Sequence, residues 1–496
     1  MEQNLLITSL LAKLEQPTRL LQTHISWVIL SGEYAYKIKK PVNFGFIDYT
    51  SLEKRKYYCE LEIALNKRLA SSLYLEVLPI SGTLEAPQLG GSSLPIEYAV
   101  KMRAFDQSQL FSNLIAHHDL TVQHIEAISD LSSKFHQSAE VCSDLIFGTP
   151  ESLIRPVRDN FDATAQLPAG KAYLNELNTI REWVETTYQD LLPHLTKRKT
   201  DGHIRACHGD LHLGNMVLFN NQPMIFDCIE FNESFRWTDV MSDVGFFAMD
   251  LEDKQRPDLA SRFVNRYLDI TNDYDGVILL NFYQSYRAMV RAKVAAIQIE
   301  QCEKNSPTEK GLQDNLKSSI DLALSYTHAH QPELILTYGV SGSGKTTYTN
   351  QLLNNTHTIR ISSDVIRKHL FGLPPFEPSS PLLQSKLYSN EAHDKVFHEL
   401  RQIAEKLLLS KKTVIVDATF IRRDQRNLFT ELARKLKVDI KALRFNIPES
   451  VLMQRHHNRQ FNQTASDANF EIAKAQLAAV EPILPEEGVT VIDVNV

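Results

Sequence analysis

Apolar positions recur along the chain with two different periods, and the changes of period mark its elements. Residues 5–14 carry an amphipathic helical pattern that Pro17 ends. Aromatic and β-branched residues alternate over 24–31 and 34–40, on either side of Gly32-Glu33. They predict two strands joined by a tight turn, with Lys37 and Lys39 on one face of the second. Over 51–70 the period becomes helical: Leu61, Leu65 and Leu69 repeat every fourth residue, which sets Glu60 and Glu62 one turn from the core. Short strands are expected at 75–80 and 96–102, separated by the turn-rich 82–95. A helical stretch follows from 108 to about 195, then a hairpin (216–219 and 224–226) around Asn220-Asn221-Gln222-Pro223, then helices over 281–300 and 312–328.

Beyond residue 333 the pattern alternates strand and helix. Strands are expected at 334–338, 358–361, 413–416, 439–445 and 489–494, with helices between them and a last helix over 467–479. That alternation predicts a parallel α/β sheet. The polar segment 301–311 reads as a boundary. Because one core rarely grows past ~250–300 residues, the 496-residue chain divides into an N-terminal α+β domain (1–300), a linker and connecting helix (301–332) and a C-terminal α/β domain (333–496).

Composition is that of a globular protein, 43% hydrophobic and 23% charged, and the net charge of -7 supplies no broad basic field. Wholesale nucleic-acid or membrane-surface binding is disfavoured, and a small molecule is the expected partner. The five cysteines lack a C-x-x-C pair, as suits free thiols in the cytoplasm. The first residues lack the basic start of a signal peptide, and no run of 18 apolar residues predicts a membrane span. Nothing sets the oligomeric state.

The most specific chemistry lies at Gly339, Val340, Ser341, Gly342, Ser343, Gly344, Lys345, Thr346 and Thr347. The spacing is that of a P-loop following a strand. Glycines turn backbone N–H groups toward phosphate oxygens, the following helix presents its positive end, Lys345 reaches the β and γ phosphates, and Thr346 ligates Mg²⁺. Downstream, Asp364 sits past the second strand, where a carboxylate orients or deprotonates an acceptor hydroxyl, and Arg367 lies one turn later as a substrate contact. Asp364 as a plain helix N-cap is the alternative. Asp417 ends a strand where a carboxylate holds Mg²⁺ through water, with Thr419 beside it. Arg455 and Arg459, one turn apart, suit a lid that closes on phosphates, although such pairs more often face solvent.

A second constellation spans 204–230. His208-Gly209-Asp210 begins a loop that reaches Asn215, and Asp227 ends the following hairpin. Phosphoryl transfer of the protein-kinase type needs a carboxylate for the attacking hydroxyl, an asparagine on metal five residues later, and a further metal-binding Asp. Asp210, Asn215 and Asp227 meet that pattern. The loop resembles the aminoglycoside-phosphotransferase branch of the kinase-like proteins, whose motif reads H-G-D-x-x-x-x-N, over residues from about 25 to 300. The resemblance implies that Lys37 binds the α and β phosphates of ATP and pairs with Glu62, with Glu60 as the other candidate. Two departures stand out: no G-x-G-x-x-G precedes Lys37, which leaves the nucleotide clamp undefined, and no A-P-E signature follows Asp227, which argues for a small acceptor. His208 and His212 flank Gly209 in a loop, so hydrogen bonding suits them better than zinc. Asp239 and Asp243 read equally as support for the catalytic loop or as ordinary carboxylates.

The C-terminal motifs resemble P-loop kinases such as polynucleotide kinases, gluconate kinases and zeta-type toxins. Together the halves resemble bacterial bifunctional proteins that join an aminoglycoside-phosphotransferase-like domain to a P-loop ATP-binding domain. The resemblance implies two ATP·Mg²⁺ sites and phosphorylation of a small-molecule hydroxyl. Two alternatives stay open: one half is a nucleotide-binding regulator, or the C-terminal half is a polynucleotide 5′-hydroxyl or toxin-like kinase.

Overall fold

A computed structural model describes residues 2–45, 47–380, 383, 386–459 and 470–495. The chain forms two compact units, Met1–Asp250 with Tyr286–Ile320, and Leu251–Ser285 with Asp321–Val496. Among the described residues no helix is long and apolar enough to cross a membrane.

The first unit is α+β. Its six strands are β1 (Thr18–Gln22), β2 (Ser26–Ser31), β3 (Tyr34–Lys39), β4 (Tyr74–Gly82), β5 (Pro87–Leu89) and β6 (Pro95–Arg103), in the order β1-β2-β3-β6-β4-β5 with antiparallel pairing. The helix Glu2–Lys13 buries Leu6, Ile7 and Leu10 in one cluster with Trp27, Ile29 and Ile38. Two strands lie outside the sequence expectation. β1 has no buried position, so it shows no alternation, and β5 is a short edge in the segment read as turns.

The helix Leu52–Ala70 is capped by Ser51, whose side chain accepts from the Lys54 N–H. Its buried face is Arg55, Cys59, Glu62, Asn66 and Leu69, rotated from the one the leucine repeat suggests. Glu62 is therefore fully buried instead of standing a turn from the core. Leu61 and Leu65 lie on a partly covered flank because the facing groups are charged, and ion pairs stabilise a polar helix face that periodicity counts as outside.

Further strands are β7 (Ile204–Ala206), β8 (Met216–Phe219), β9 (Gln222–Ile225) and β10 (Trp237–Asp239); β8 and β9 form the expected hairpin and β10 pairs with β7. The second unit is the expected α/β fold. Its strands β11 (Glu333–Tyr338), β12 (Thr358–Ser362), β13 (Thr413–Asp417), β14 (Asp439–Phe445) and β15 (Thr490–Val494) form a parallel sheet in the order β12-β13-β11-β14-β15. Residues 251–285 precede this segment in sequence yet fold within its unit. The helix Pro257–Thr271 lies along β12: Asn265 accepts the Arg360 N–H at 2.7 Å and donates to the Thr358 carbonyl at 3.2 Å, and Asp269 pairs with Arg360 at 3.3 Å. These bonds satisfy backbone groups that an edge strand would leave open. Of the expected last helix the structure describes Phe470–Ala478, and 467–469 lie outside the described residues.

Candidate active sites

In the first unit, β3 carries Lys37 opposite Val28 of β2 and Val100 of β6. Its Nζ lies 2.8 Å from Glu62 Oε1 and 2.7 Å from Asp227 Oδ1. Glu60 instead is exposed and faces Lys56 at 3.8 Å. Burial disfavours the Lys37 charge, but Asp227 and Glu62 outweigh it and raise its pKa well above the ordinary lysine range. Burial likewise opposes ionisation of Glu62, yet Lys37 and Lys39 hold its pKa down to about 2.

The loop after β7 is held from several sides. Asp243 accepts the N–H groups of His208 at 2.8 Å and Gly209 at 2.9 Å, so it supports the loop directly. Asp239 is spent on Arg198, at 2.6 and 2.8 Å. Gly209 has φ +84°, and a Cβ there would meet the Phe235 carbonyl oxygen at 2.9 Å, so the turn requires glycine. His208 accepts the Asp210 N–H on Nδ1 at 3.2 Å and donates from Nε2 to the Phe226 carbonyl at 2.9 Å. His212 accepts the Gly214 N–H on Nδ1, which leaves the Nε2 proton for Asp210 Oδ2 at 3.2 Å. Both histidines are thus committed to hydrogen bonds, His212 within the loop and His208 to the loop and to the end of the hairpin.

Asn215 donates to the same Asp210 oxygen at 3.1 Å and keeps its carbonyl oxygen free of that bond. Burial works against the Asp210 charge, but His212, Arg291 and His208 hold its carboxyl well below the usual carboxylate range. Asp227 adopts φ +64° at the end of the hairpin. Lys37, Asn215 and Asp227 line one cavity of about 370 Å³, closed by Leu21, Thr23 and Ile25 and by Met102–Phe105. Where the sequence shows no glycine-rich motif, the turn between β1 and β2 lines this cavity. There Thr23 Oγ1 accepts the N–H groups of Ile25 at 3.3 Å and Ser26 at 3.0 Å, a polar turn made without glycine. A threonine turn between the unexpected β1 and the expected β2 left no sequence signal.

In the second unit the P-loop joins β11 to the helix Lys345–Leu352. Gly342 and Gly344 have φ of +87° and +97°, the left-handed region glycine permits. A Cβ on Gly339 would lie 2.9 Å from Ser343 Oγ and 3.1 Å from the Phe445 carbonyl oxygen. Lys345 donates to the Val340 carbonyl at 2.8 Å, and Thr346 donates to Asp417 Oδ2 at 2.7 Å. Ser341 N–H is met by Gln476 Oε1 at 2.7 Å, while the buried Ser343 Oγ has no partner among the described residues. A glycine cradle with an orphaned hydroxyl fits a phosphate ligand, and the all-oxygen pair Thr346 and Asp417 suits Mg²⁺.

Ser341, Gly342, Gly344, Lys345, Thr346 and Asp417 line a second cavity of about 370 Å³ together with Asp364 and Arg367. Ser362, and not Asp364, is the N-cap of the helix Ser363–Leu370. Arg367 is almost fully buried; it pairs with Asp364 at 3.1 Å, donates to the Leu387 carbonyl at 3.1 Å and stacks on Tyr388. Thr347 is exposed on its helix. Arg455 sits half-buried on the helix Glu449–Arg459, outside the cavity lining; Arg459 ends that helix and its side chain lies outside the described residues. His393, Arg422 and Gln425, which no motif marks, line the same cavity.

Residues 63–280 match the model of the phosphotransferase enzyme family, and residues 334–483 match the model of the AAA domain. An uncharacterised protein of Mycobacterium tuberculosis is 29% identical over 460 residues, covering 92% of this chain and 89% of that protein. A choline/ethanolamine kinase family protein from Mesorhizobium loti is similar at 13% identity and TM-score 0.37, over 66% of this chain and 97% of that one. A gluconokinase from Sinorhizobium meliloti is similar at 20% identity and TM-score 0.24, over 33% of this chain and 83% of that one.

Proposed function

From a chain that joins a phosphotransferase-family segment to an AAA-type P-loop segment, we propose an ATP-dependent phosphotransferase with two nucleotide sites. Each site moves the γ-phosphate to a hydroxyl of a small molecule in the cytoplasm. The observation that carries this reading is the contact of Lys37 Nζ with both Glu62 and Asp227 at the wall of an open cavity. A lysine held between two carboxylates at a cavity wall suits a seat for phosphate.

In the first site Lys37, steadied by Glu62, binds the α and β phosphates, and the β1–β2 turn closes over the nucleotide. Asp210 receives the acceptor's hydroxyl proton; its depressed pKa keeps it ionised at neutral pH, and the His212 Nε2 proton fixes its orientation. In the second site the N–H groups of Gly339–Thr347 and the Lys345 ammonium hold the β and γ phosphates. Asp364 orients or deprotonates the acceptor, Arg367 contacts it, and Arg455 and Arg459 close on the phosphates. Asn215 and Asp227 in one site, and Thr346 and Asp417 in the other, would hold Mg²⁺, which when bound neutralises charge on the phosphates.

The test is a mass-spectrometric search for phosphorylated products after protein, ATP and Mg²⁺ are incubated with a metabolite extract that includes 5′-hydroxyl oligonucleotides. Asp210→Ala is expected to remove one product and Lys345→Ala another. Products that persist unchanged in both variants would refute catalysis at either site.

A further inference from the structure

The lysine two residues beyond Lys37 is buried among more charge than a bystander needs. Lys39 Nζ lies 2.6 Å from Glu62 Oε2 and also pairs with Glu230, and its side chain is 1% exposed. Glu230 is 4% exposed and accepts the Tyr49 hydroxyl at 2.7 Å. Glu62 therefore bridges two ammonium groups, one oxygen to each. Lys39, Glu230 and Tyr49 are absent from the cavity wall that Lys37 lines. Glu230 belongs to the same short turn as Asp227. That turn is tied to the helix Leu52–Ala70 as well, because Cys228 N–H donates to Asn66 Oδ1 at 2.8 Å.

We propose that Lys39, Glu230 and Tyr49 form a buried positioning clamp for the first nucleotide site, setting how Lys37 and Asp227 meet Mg·ATP. Lys39 occupies one oxygen of Glu62, so Lys37 meets a single oxygen of Glu62 and one of Asp227 and keeps the third of its donors for phosphate. Through Glu230, Lys39 also holds the turn that presents Asp227. Two ammoniums thus face three carboxylates, Glu62, Glu230 and Asp227, and the one negative charge in excess is what a metal at Asp227 would offset. Burial opposes the charge on Lys39, but Glu230 and Glu62 raise its pKa well above the ordinary lysine range, so the ammonium persists. The inference rests on the reading of Lys37 and Asp227 as nucleotide and metal residues.

The test is calorimetric binding of ATP to the full chain, with and without Mg²⁺, in a Lys345→Ala background that silences the P-loop site. Lys37→Ala and Asp227→Asn serve as controls, and unchanged Mg·ATP affinity in both would refute the site and the clamp together. Lys39→Met with Glu230→Leu replaces the buried ion pair by apolar groups of similar size, a change that often leaves stability intact. The pair is expected to melt near the parent temperature, to bind Mg·ATP about 10-fold or more weakly, and to lose less affinity for metal-free ATP. A purely structural ion pair would instead give parent-like Mg·ATP affinity once the fold is restored, and that result would overturn the proposal. Should the paired variant fail to fold, Tyr49→Phe is read the same way. It removes one hydrogen bond from Glu230 and is expected to give a smaller, metal-dependent loss, and unchanged affinity there would also overturn the clamp.

Discussion

His393 shows how one side chain in the second site is fixed by its neighbours. The Arg422 N–H meets Gln425 Oε1 at 3.3 Å, so the Gln425 amide nitrogen is the one that faces His393 Nε2 at 2.6 Å. His393 must accept there, which requires the neutral ring with its proton on Nδ1. Burial, then Arg367 and Arg422, push its pKa down to about 4. An unfolded histidine titrates near ~6.5, so below that pH the unfolded chain takes up a proton that the folded site refuses. Stability is therefore full above about pH 6.5 and falls toward about pH 4, by on the order of 3 kcal/mol for this group. Gln425→Glu supplies a carboxylate that welcomes the imidazolium. Thermal melts across that window should fall less steeply for this variant than for the parent, and equal slopes would contradict the assignment. His357, pushed to about 4 by burial and then Lys412, adds to the slope of the parent in the same direction.

Among the elements, the helix Pro257–Thr271 has the least expected place. Its residues fall within the segment assigned from sequence to the N-terminal domain (1–300), yet Asn265 completes the backbone of edge strand β12. Asn265→Leu keeps the volume and leaves the Arg360 N–H and the Thr358 carbonyl without this partner. A buried unsatisfied group costs about 1–3 kcal/mol, so the melting temperature of the second unit should drop by several degrees while Mg·ATP affinity at the first site is unchanged. A parent-like melt would show that the helix is dispensable to the sheet. The helix Leu52–Ala70 teaches a related lesson. Its leucine repeat pointed to the wrong face because periodicity counts apolar atoms, whereas Glu62 and Asn66 are buried by their bonds to Lys37, Lys39 and Cys228.

For the whole molecule, the proposal of two separate phosphate seats predicts the stoichiometry of binding. Calorimetry should find two Mg·ATP per parent chain and one in either Lys37→Ala or Lys345→Ala. A parent value of one would leave a single working nucleotide site.

The linear order of residues determined the two fold classes, the P-loop at Gly339–Thr347 and the Asp210, Asn215, Asp227 set, because these depend on local spacing: glycines where the backbone turns and carboxylates at a loop's two ends. Only tertiary structure decided between Glu60 and Glu62, since both lie on one helix and the choice depends on which face meets β3. It also decided that Asp243 supports the loop while Asp239 pairs with Arg198, and that a threonine turn at Thr23 closes the first cavity. Lys39, two residues from Lys37 on the same strand face, reads from sequence as its equal. The difference between them, one lysine open to a cavity and the other enclosed by Glu62 and Glu230, arises from groups distant in the chain that burial forces to pair.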